Sequence, residues 1–236
     1  MKNSLIKMVT KMDNKKQYIS LILKIAIIIS SILGVILSIL KQNDQFMGGV
    51  STLLFFTIQS NLWICIVMIM YIATKIQKKE LKSSIYIVKY IFTISISLTG
   101  VVYCFLLAPV MPKDYNAWSL PSVLTHVIVP ACSIIDMFID NGNMIIKHKH
   151  TLLVLIPPLY YLIFAIVGFF LNFDYGHGQN YPYFFLNFGC EAGLFGFVKE
   201  PLEIGCFYWI LLMLIIVLGT GYLYRLVINK QNMKGN

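Results

Sequence analysis

The segment STLLFFTIQSNLWICIVMIMYIA, residues 51–73, contains no charged side chain and is mostly apolar. A stretch of about 20 apolar residues matches the roughly 30 Å hydrocarbon core of a bilayer at ~1.5 Å rise per residue. The segment is therefore predicted to cross a membrane as a helix. It also carries Thr57, Gln59, Ser60 and Asn61, and polar side chains at this depth need protein or water around them.

The same apolar pattern recurs along the whole chain of 236 residues. The chain is 58% hydrophobic and 12% charged, and its mean hydropathy is +0.76, which is too apolar for a water-soluble domain of this length. The predicted fold is an all-α integral membrane protein, a compact bundle of six transmembrane helices in a single domain. The helices are predicted at about residues 18–40, 51–73, 85–108, 119–140, 151–171 and 203–226.

The distribution of basic residues predicts the orientation of these helices. Fourteen of the 19 Lys and Arg residues lie in the two tails, the second loop and the fourth loop, whereas the other loops hold only Lys41, Lys113 and Lys199. Cytoplasmic loops are enriched in Lys and Arg, so both termini are predicted to be cytoplasmic in a multi-pass protein of the plasma membrane. Lys24 and Lys89, near cytoplasmic helix ends, are expected to snorkel towards the interface. Because the formal charge of +9 follows this pattern, no nucleic-acid partner is expected.

The long loop at residues 172–202 is aromatic and glycine-rich, and it is predicted to lie on the outer side. Tyr and Phe favour the membrane interface, so this loop is expected to cap the outer mouth of the bundle. The five cysteines show neither a CxxC pair nor the spacing of a secreted disulfide framework. At least three lie in predicted helices, where cysteine packs as a small apolar side chain. They are Cys65, Cys104, Cys132, Cys190 and Cys206.

Small residues recur every three or four positions in two of the predicted helices. Such spacing lets helices approach closely in lipid and predicts packing faces. The two sets are Ser30, Gly34 and Ser38 in the first helix, and Thr93, Ser97 and Gly100 in the third.

The polar residues of the second helix form one stripe. Thr57, Ser60 and Asn61 follow i, i+3, i+4 spacing, while Gln59 points elsewhere. Two interpretations stay open: the hydroxyls and the amide hold helices together, or they form a site.

The fourth predicted helix contains His126, the one histidine within a predicted span, and Pro130 four residues later. Proline has no N–H for the His126 carbonyl, so a kink is expected there. With both termini inside, Thr57 and His126 both lie about 9 to 10 Å below the outer helix ends at ~1.5 Å per residue. A hydroxyl and an imidazole at equal depth are the minimum for a base-activated nucleophile, although His126 could also serve packing.

Asp136 lies ten residues beyond His126, about 15 Å deeper at ~1.5 Å per residue, so it is too far to orient the imidazole. It is expected near the cytoplasmic interface or paired with a lysine. The group that orients His126 stays open among Asn61, Asn187 and Glu191.

Three segments, FFTIQSNL, THVIVPACSIIDMF and NYPYFFLN, resemble a known family. They are similar to bacterial members of the six-helix superfamily that includes the androgen-induced gene product and the androgen-dependent TFPI-regulating protein. The resemblance covers about residues 46–190 and includes the number and order of helices. Phe184 stands where the family's loop motif usually has a second proline, and Asn187 takes its polar place. The histidine-to-proline spacing is one residue shorter than in animal members.

The resemblance implies an activity, because animal members are described as threonine hydrolases of fatty acid esters of hydroxy fatty acids. The required threonine and histidine fall on Thr57 and His126. An intramembrane lipid-ester hydrolase is thus the expected function, with Asn61, Ser60 and Asn187 as substrate or oxyanion candidates. The bilayer and a lipid-like ester are the expected partners, and no cofactor or metal is expected.

Other classes of membrane protein require characteristic motifs or ligands. The glycine-flanked serine of rhomboid proteases and the G-x-S-x-G elbow are absent. A b-type haem protein needs two axial histidines in the bundle, where the sequence offers only His126. His148 and His150 are expected in a solvated basic loop rather than a metal site. A non-catalytic membrane protein, a small transporter or a lipid-binding protein is the alternative, because the same polar stripe can bind without hydrolysing.

Overall fold

The computed structural model describes residues 2–41, 48–111, 116–142, 144–176, 178–200 and 202–234, with side chains from Asn14 to Met233. Within these residues, six helices are long and apolar enough to cross a membrane. They confirm the predicted number of apolar helices in a multi-pass protein. Lys113, used above to predict orientation, lies outside the described residues. The spans are Asn14–Ile39, Phe56–Ile76, Ser83–Val110, Leu120–Ile139, His148–Phe170 and Cys206–Met233.

Eight α-helices, with short π-helical and 3-10 segments, form these spans. The α-helices are α1 (Lys2–Ile39), α2 (Phe56–Ile76), α3 (Ser83–Val102), α4 (Leu120–Val123), α5 (Val129–Ile139), α6 (His148–Leu152), α7 (Ile156–Phe170) and α8 (Cys206–Lys234). The π-helical turns are Tyr103–Leu107 and Leu124–Ile128, and the 3-10 turns are Val50–Leu54, Ala108–Val110, Leu153–Leu155 and Phe184–Leu186.

The span boundaries differ from the sequence-based prediction by one to seven residues, and two of these differences bear on the site. The second span begins at Phe56 rather than near residue 51, because Val50–Leu54 forms a 3-10 turn. The long loop holds a short antiparallel ribbon of β1 (Phe197–Val198) and β2 (Glu203–Ile204), which helical periodicity did not predict. The sixth span therefore begins at Cys206.

Aliphatic side chains lie exposed along the outward faces of the spans. Because a bilayer solvates such groups at no hydrophobic cost, their exposure fits a membrane-embedded bundle. In the first span they include Ile22, Ile25, Ile29, Leu33 and Ile36.

The small-residue faces let the first and third spans approach the turn that carries His126. A Cβ added to Gly34 would lie 2.5 Å from the Thr125 methyl carbon. A Cβ added to Gly100 would lie 3.0 Å from Pro130 Cβ and 3.1 Å from the His126 carbonyl oxygen. These contacts confirm packing roles for Gly34 and Gly100.

The fourth span changes its helical pitch at the position marked by proline. Pro130 cannot donate to the His126 carbonyl, and the preceding residues Leu124–Ile128 form a π-helical turn between α4 and α5. The third span has a π-helical turn at Tyr103–Leu107. Such turns are rare and are frequent at functional sites, and here the side chains of Tyr103 and His126 stack on each other.

Candidate functional site

Thr57 lies in the first turn of α2, as the second residue of the helix. The sequence placed it six residues into a helix, and the 3-10 turn before Phe56 accounts for the difference. Backbone N–H groups in a first helical turn have no partner within the helix. The Thr57 N–H instead donates to the Tyr183 phenol oxygen at 3.3 Å, and this oxygen also interacts with the Phe56 N–H.

The hydroxyl of Thr57 is buried without a hydrogen bond. The Tyr183 phenol lies close to the Thr57 side chain and interacts with it. However, no group in the described part of the chain meets hydrogen-bond geometry with Thr57 Oγ1. A buried polar atom without a hydrogen bond costs free energy. Such an atom next to a cavity is a candidate for ligand contact.

The contacts of His126 determine which ring nitrogen carries the proton. Nδ1 lies 2.9 Å from the Ser122 carbonyl oxygen and 3.0 Å from Thr125 Oγ1. A carbonyl only accepts, and Thr125 Oγ1 itself donates to the Pro121 carbonyl at 2.8 Å, so these partners assign the proton to Nδ1. In the neutral ring Nε2 then holds a lone pair. Among the described residues, none bonds to this buried nitrogen.

Two further contacts fix the plane of the imidazole. The Tyr103 ring stacks on it with 3.7 Å between ring centroids and 17° between planes. The Tyr103 hydroxyl donates to the Ala117 carbonyl, which anchors the stacking ring. His126 therefore has a fixed tautomer and a fixed ring plane, as a general base requires.

Asn61 joins the turns that carry Thr57 and His126. Its Nδ2 donates to the Thr57 carbonyl at 2.7 Å and to the Thr125 carbonyl at 3.1 Å. The two carbonyl oxygens are thus at most about 5.8 Å apart, so the second and fourth spans do meet at this level. Both N–H bonds of Asn61 point at carbonyls in this structure, so the oxyanion role expected for Asn61 would require one of these hydrogen bonds to break.

Ser60 and Asn187 are also held in structural contacts. Ser60 Oγ lies 3.0 Å from the Thr57 carbonyl oxygen and 2.8 Å from Thr99 Oγ1, so it joins the second and third spans. Asn187 Oδ1 accepts from the Gly189 N–H at 3.1 Å and closes a turn of the outer loop. Among the described residues, neither Ser60 nor Asn187 forms a hydrogen bond with the His126 ring. The backbone carbonyl of Ser122 orients the imidazole, rather than any of the three expected candidates.

A small apolar cavity of about 80 Å³ adjoins Thr57. It is smaller than the ~150 Å³ that holds one benzene ring and far below the ~300 Å³ of common ligand pockets, so a whole lipid ester requires a more open form. His126 does not line it. The wall consists of Phe56, Thr57, Leu98, Thr99, Val102, Pro158, Tyr161, Leu162, Tyr183, Phe185, Leu186, Ile210, Met213 and Leu214.

The long loop at residues 172–202 contributes three side chains to the wall of this cavity. Tyr183, Phe185 and Leu186 are buried against the bundle, and the Phe185 ring stacks on that of Tyr183 at 5.0 Å. Burial raises the pKa of Tyr183 to about 12. The phenol is therefore protonated and uncharged at neutral pH, where the pKa lies far above the pH.

A second polar feature, the ionic cluster of Lys24, Lys89, Asp136 and Asp140, lies where the sequence expected lysines to snorkel. Lys24 Nζ is 2.8 Å from Asp136 Oδ1 and 3.1 Å from Asp140 Oδ2, and Lys89 Nζ is 2.6 Å from Asp136 Oδ2. Both lysines are buried, at 1% and 0% exposure. This corrects the snorkelling prediction, and it confirms a lysine partner for Asp136.

Further hydrogen bonds complete the cluster. Ser20 Oγ donates to Asp136 at 2.6 Å, and Tyr71 donates to Asp140. Burial raises the pKa of the Asp140 carboxyl, but Lys89 and Lys24 outweigh burial and hold the pKa below its ordinary value. The cluster therefore joins the first four spans through groups that satisfy one another, which is a structural role.

Three groups at the site were not foreseen from the sequence: Tyr183, Tyr103 and the Ser122 carbonyl. Tyr183 lies in the motif NYPYFFLN. The resemblance of this motif to the family was therefore a signal that Tyr183 could belong to the site. No local pattern marks the carbonyl of Ser122 or the stacking ring of Tyr103.

No family model, curated protein or solved structure matches this chain.

Proposed function

We propose that this chain is an intramembrane lipid-ester hydrolase with Thr57 as nucleophile and His126 as general base. The observation that carries the proposal is the buried Thr57 Oγ1, which has no hydrogen bond to any described residue and lines an apolar cavity at the start of α2. The resemblance of the three motifs to the six-helix superfamily supports it, and we propose membership of that superfamily.

In the first step Thr57 Oγ1 attacks the ester carbonyl carbon, and His126 Nε2 takes the hydroxyl proton. The C–O bond to the alcohol breaks, the imidazolium returns its proton to the leaving alcohol, and an acyl-threonine forms. Water then hydrolyses this ester with His126 again as base, which releases a carboxylic acid and restores Thr57. No cofactor or metal takes part in either step.

The first turn of α2 supplies the oxyanion donors in this scheme. The Thr57 N–H donates to the Tyr183 phenol oxygen, the Phe56 N–H lies near the same oxygen, and helix N-termini bind anionic oxygens well. A substrate carbonyl oxygen that displaces Tyr183 accepts the same donors. The protonated Tyr183 phenol is then a further donor at the rim. These groups replace Asn61 as the oxyanion candidates.

The active arrangement needs two movements. The outer loop lifts Tyr183 from Thr57, because the cavity of about 80 Å³ is too small for the substrate. The Thr57 side chain also turns about χ1 towards His126, which lies outside the cavity wall. The Asn61 contact to both carbonyls keeps the two turns within reach during this change.

A lipid-binding or lipid-transporting protein is the second candidate. The placement of His126 outside the wall of the cavity favours it, because a binding site needs no general base. In this case the apolar wall holds an acyl chain, and Thr57 is only a hydrogen-bonding group.

Hydrolysis by the purified protein separates the two candidates. We expect a panel of long-chain carboxylic esters to yield free acid and alcohol, and a fluorophosphonate probe to label the protein covalently. Binding of the same esters without product, and without labelling, would favour the lipid-binding candidate.

We propose that both termini are cytoplasmic and that the loop before Cys206 is outside the plasma membrane. The bias of Lys and Arg among the loops supports this orientation. An alkaline phosphatase reporter fused after residue 180 is expected to be active, and one fused after residue 80 inactive. The reverse pattern would reject the orientation.

A further inference from the structure

Cys190 and Cys206 lie side by side at the end of the outer loop, through a reciprocal set of contacts. The Asn187 carbonyl accepts from the Cys190 N–H at 3.2 Å and lies 3.2 Å from Cys206 Sγ. The Gly193 carbonyl accepts from the Cys206 N–H at 3.2 Å and lies 3.9 Å from Cys190 Sγ. Each thiol thus reaches the carbonyl to which the other cysteine's N–H donates.

The two thiols therefore lie close enough to interact electrostatically. Both are free thiols, Cys190 partly exposed and Cys206 buried. The remaining cysteines, Cys65, Cys104 and Cys132, lie within the second, third and fourth spans.

We infer that Cys190 and Cys206 form a reversible disulfide that locks the outer loop onto the sixth span. This inference is independent of the proposed hydrolase activity. The proposed orientation places both residues on the outer side, where disulfides form and persist.

The chemistry is thiol–disulfide exchange with a small disulfide or an oxidised dithiol protein. The partly exposed Cys190 thiolate attacks one sulfur of the oxidant, which forms a mixed disulfide and releases one thiol. The neighbouring Cys206 thiolate then attacks the Cys190 sulfur and releases the second thiol. Two cysteine thiols are oxidised to one disulfide, and the oxidant disulfide is reduced to two thiols.

The bond would restrain the cap, defined as residues Tyr183–Cys190. The cap already contacts α8, because the Phe184 ring lies 5.7 Å from that of Trp209. Its first residue, Tyr183, accepts a hydrogen bond from the Thr57 N–H. A covalent link from its last residue to the first residue of α8 therefore opposes the movement that would lift Tyr183.

Thiol counting tests the disulfide. The full-length protein, reduced and purified in detergent, is treated with oxidised glutathione, denatured, alkylated and weighed by mass spectrometry. We expect the number of alkylated cysteines to fall from five to three, with a disulfide-linked peptide that contains Cys190 and Cys206.

Two variants sharpen this count. Cys190→Ser is expected to keep its four thiols free of intramolecular disulfide, whereas the matched control Cys104→Ser falls from four to two. Wild-type protein that keeps five alkylated cysteines, or a disulfide between other cysteines, would overturn the inference.

Hydrogen exchange tests the lock. Backbone amides of residues 183–206 are expected to exchange severalfold more slowly in oxidised than in reduced wild type, because the link suppresses local opening. The same treatment should leave exchange unchanged in Cys190→Ser. Equal exchange in both redox states of the wild type would show that the disulfide does not restrain the cap. Neither readout depends on ester hydrolysis, so a failure here is distinct from a failure of the proposed function.

Discussion

Replacing Thr57 with valine is expected to abolish ester hydrolysis by the purified protein while leaving the fold intact. Valine keeps the branched shape of threonine and removes Oγ1, which makes no hydrogen bond to any residue in the described ranges. Loss of a nucleophile removes the acylation step, so kcat is expected to fall by roughly 10³-fold or more. Initial rates on a long-chain ester, with melting temperature measured in parallel, provide the test.

Thr52→Val is the matched control for this variant. Thr52 is fully buried in the 3-10 turn before α2, and its hydroxyl likewise has no hydrogen-bond partner among the described residues. Thr52 does not line the cavity beside Thr57, so its variant is expected to hydrolyse at the wild-type rate. Equal losses in Thr52→Val and Thr57→Val would point to packing rather than catalysis.

His126→Asn tests the proposed base with little change to the local contacts. The asparagine amide can take the place of Nδ1 and donate to the Ser122 carbonyl, whereas Nε2 is lost. Removal of a general base costs roughly 10²- to 10⁴-fold in rate. If both Thr57→Val and His126→Asn hydrolyse normally, these residues join helices and the proposed dyad is wrong.

Replacing Asp136 with asparagine is expected to destabilise the folded protein by about 3 to 5 kcal/mol. The change keeps the side-chain shape but removes the carboxylate that pairs with Lys89 at 2.6 Å. The buried ammonium group of Lys89 is then left with backbone carbonyls of residues 136 and 140 as acceptors. Unfolding of the purified protein in detergent, by heat or by SDS, measures the loss.

A double variant and a surface control test whether the unpaired charge of Lys89 causes the loss of stability. Lys89→Met combined with Asp136→Asn is expected to recover much of the stability, because the uncompensated charge is gone. Asp174→Asn, in the exposed outer loop, is expected to change stability by less than about 0.5 kcal/mol. Equal stability of Asp136→Asn and wild type would show that the ionic cluster does not hold the spans together.

The sequence predicts the spans well because hydropathy accumulates over about 20 neighbouring residues. It also predicts that Thr57 and His126 lie at a similar depth, since alternation of the chain across the membrane fixes the depth of each turn. The predicted position of Thr57 within its helix was wrong, because Thr57 is the second residue of α2 instead of lying six residues after its start. In the structure, Asn61 joins the turns that carry Thr57 and His126, because it donates a hydrogen bond to a carbonyl in each turn.

The ionic cluster was misread because its partners are far apart in the chain. Lys24 and Asp136 are separated by 112 residues, so no local pattern reveals the pair. A lysine near a helix end snorkels when water is its best partner, but a buried carboxylate at 2.8 Å is a competing partner. Lys24 pairs with the carboxylate because helices that are distant in the sequence pack against each other.

The tautomer of His126 was also beyond sequence reasoning. The orienting acceptor is the backbone carbonyl of Ser122, and every residue has a carbonyl. Pro130 predicts a disturbance of the helix, but it does not predict that Leu124–Ile128 forms a π-helical turn. Gly100, which is distant in the sequence, also packs against the same turn.

The most direct test of the account is the site of fluorophosphonate labelling, mapped by tandem mass spectrometry on the purified full-length protein. The account predicts an adduct on Thr57 that is retained in Thr52→Val, absent in Thr57→Val and strongly reduced in His126→Asn. An adduct on another residue, or labelling that persists unchanged in Thr57→Val, would contradict the assignment of Thr57 as the nucleophile.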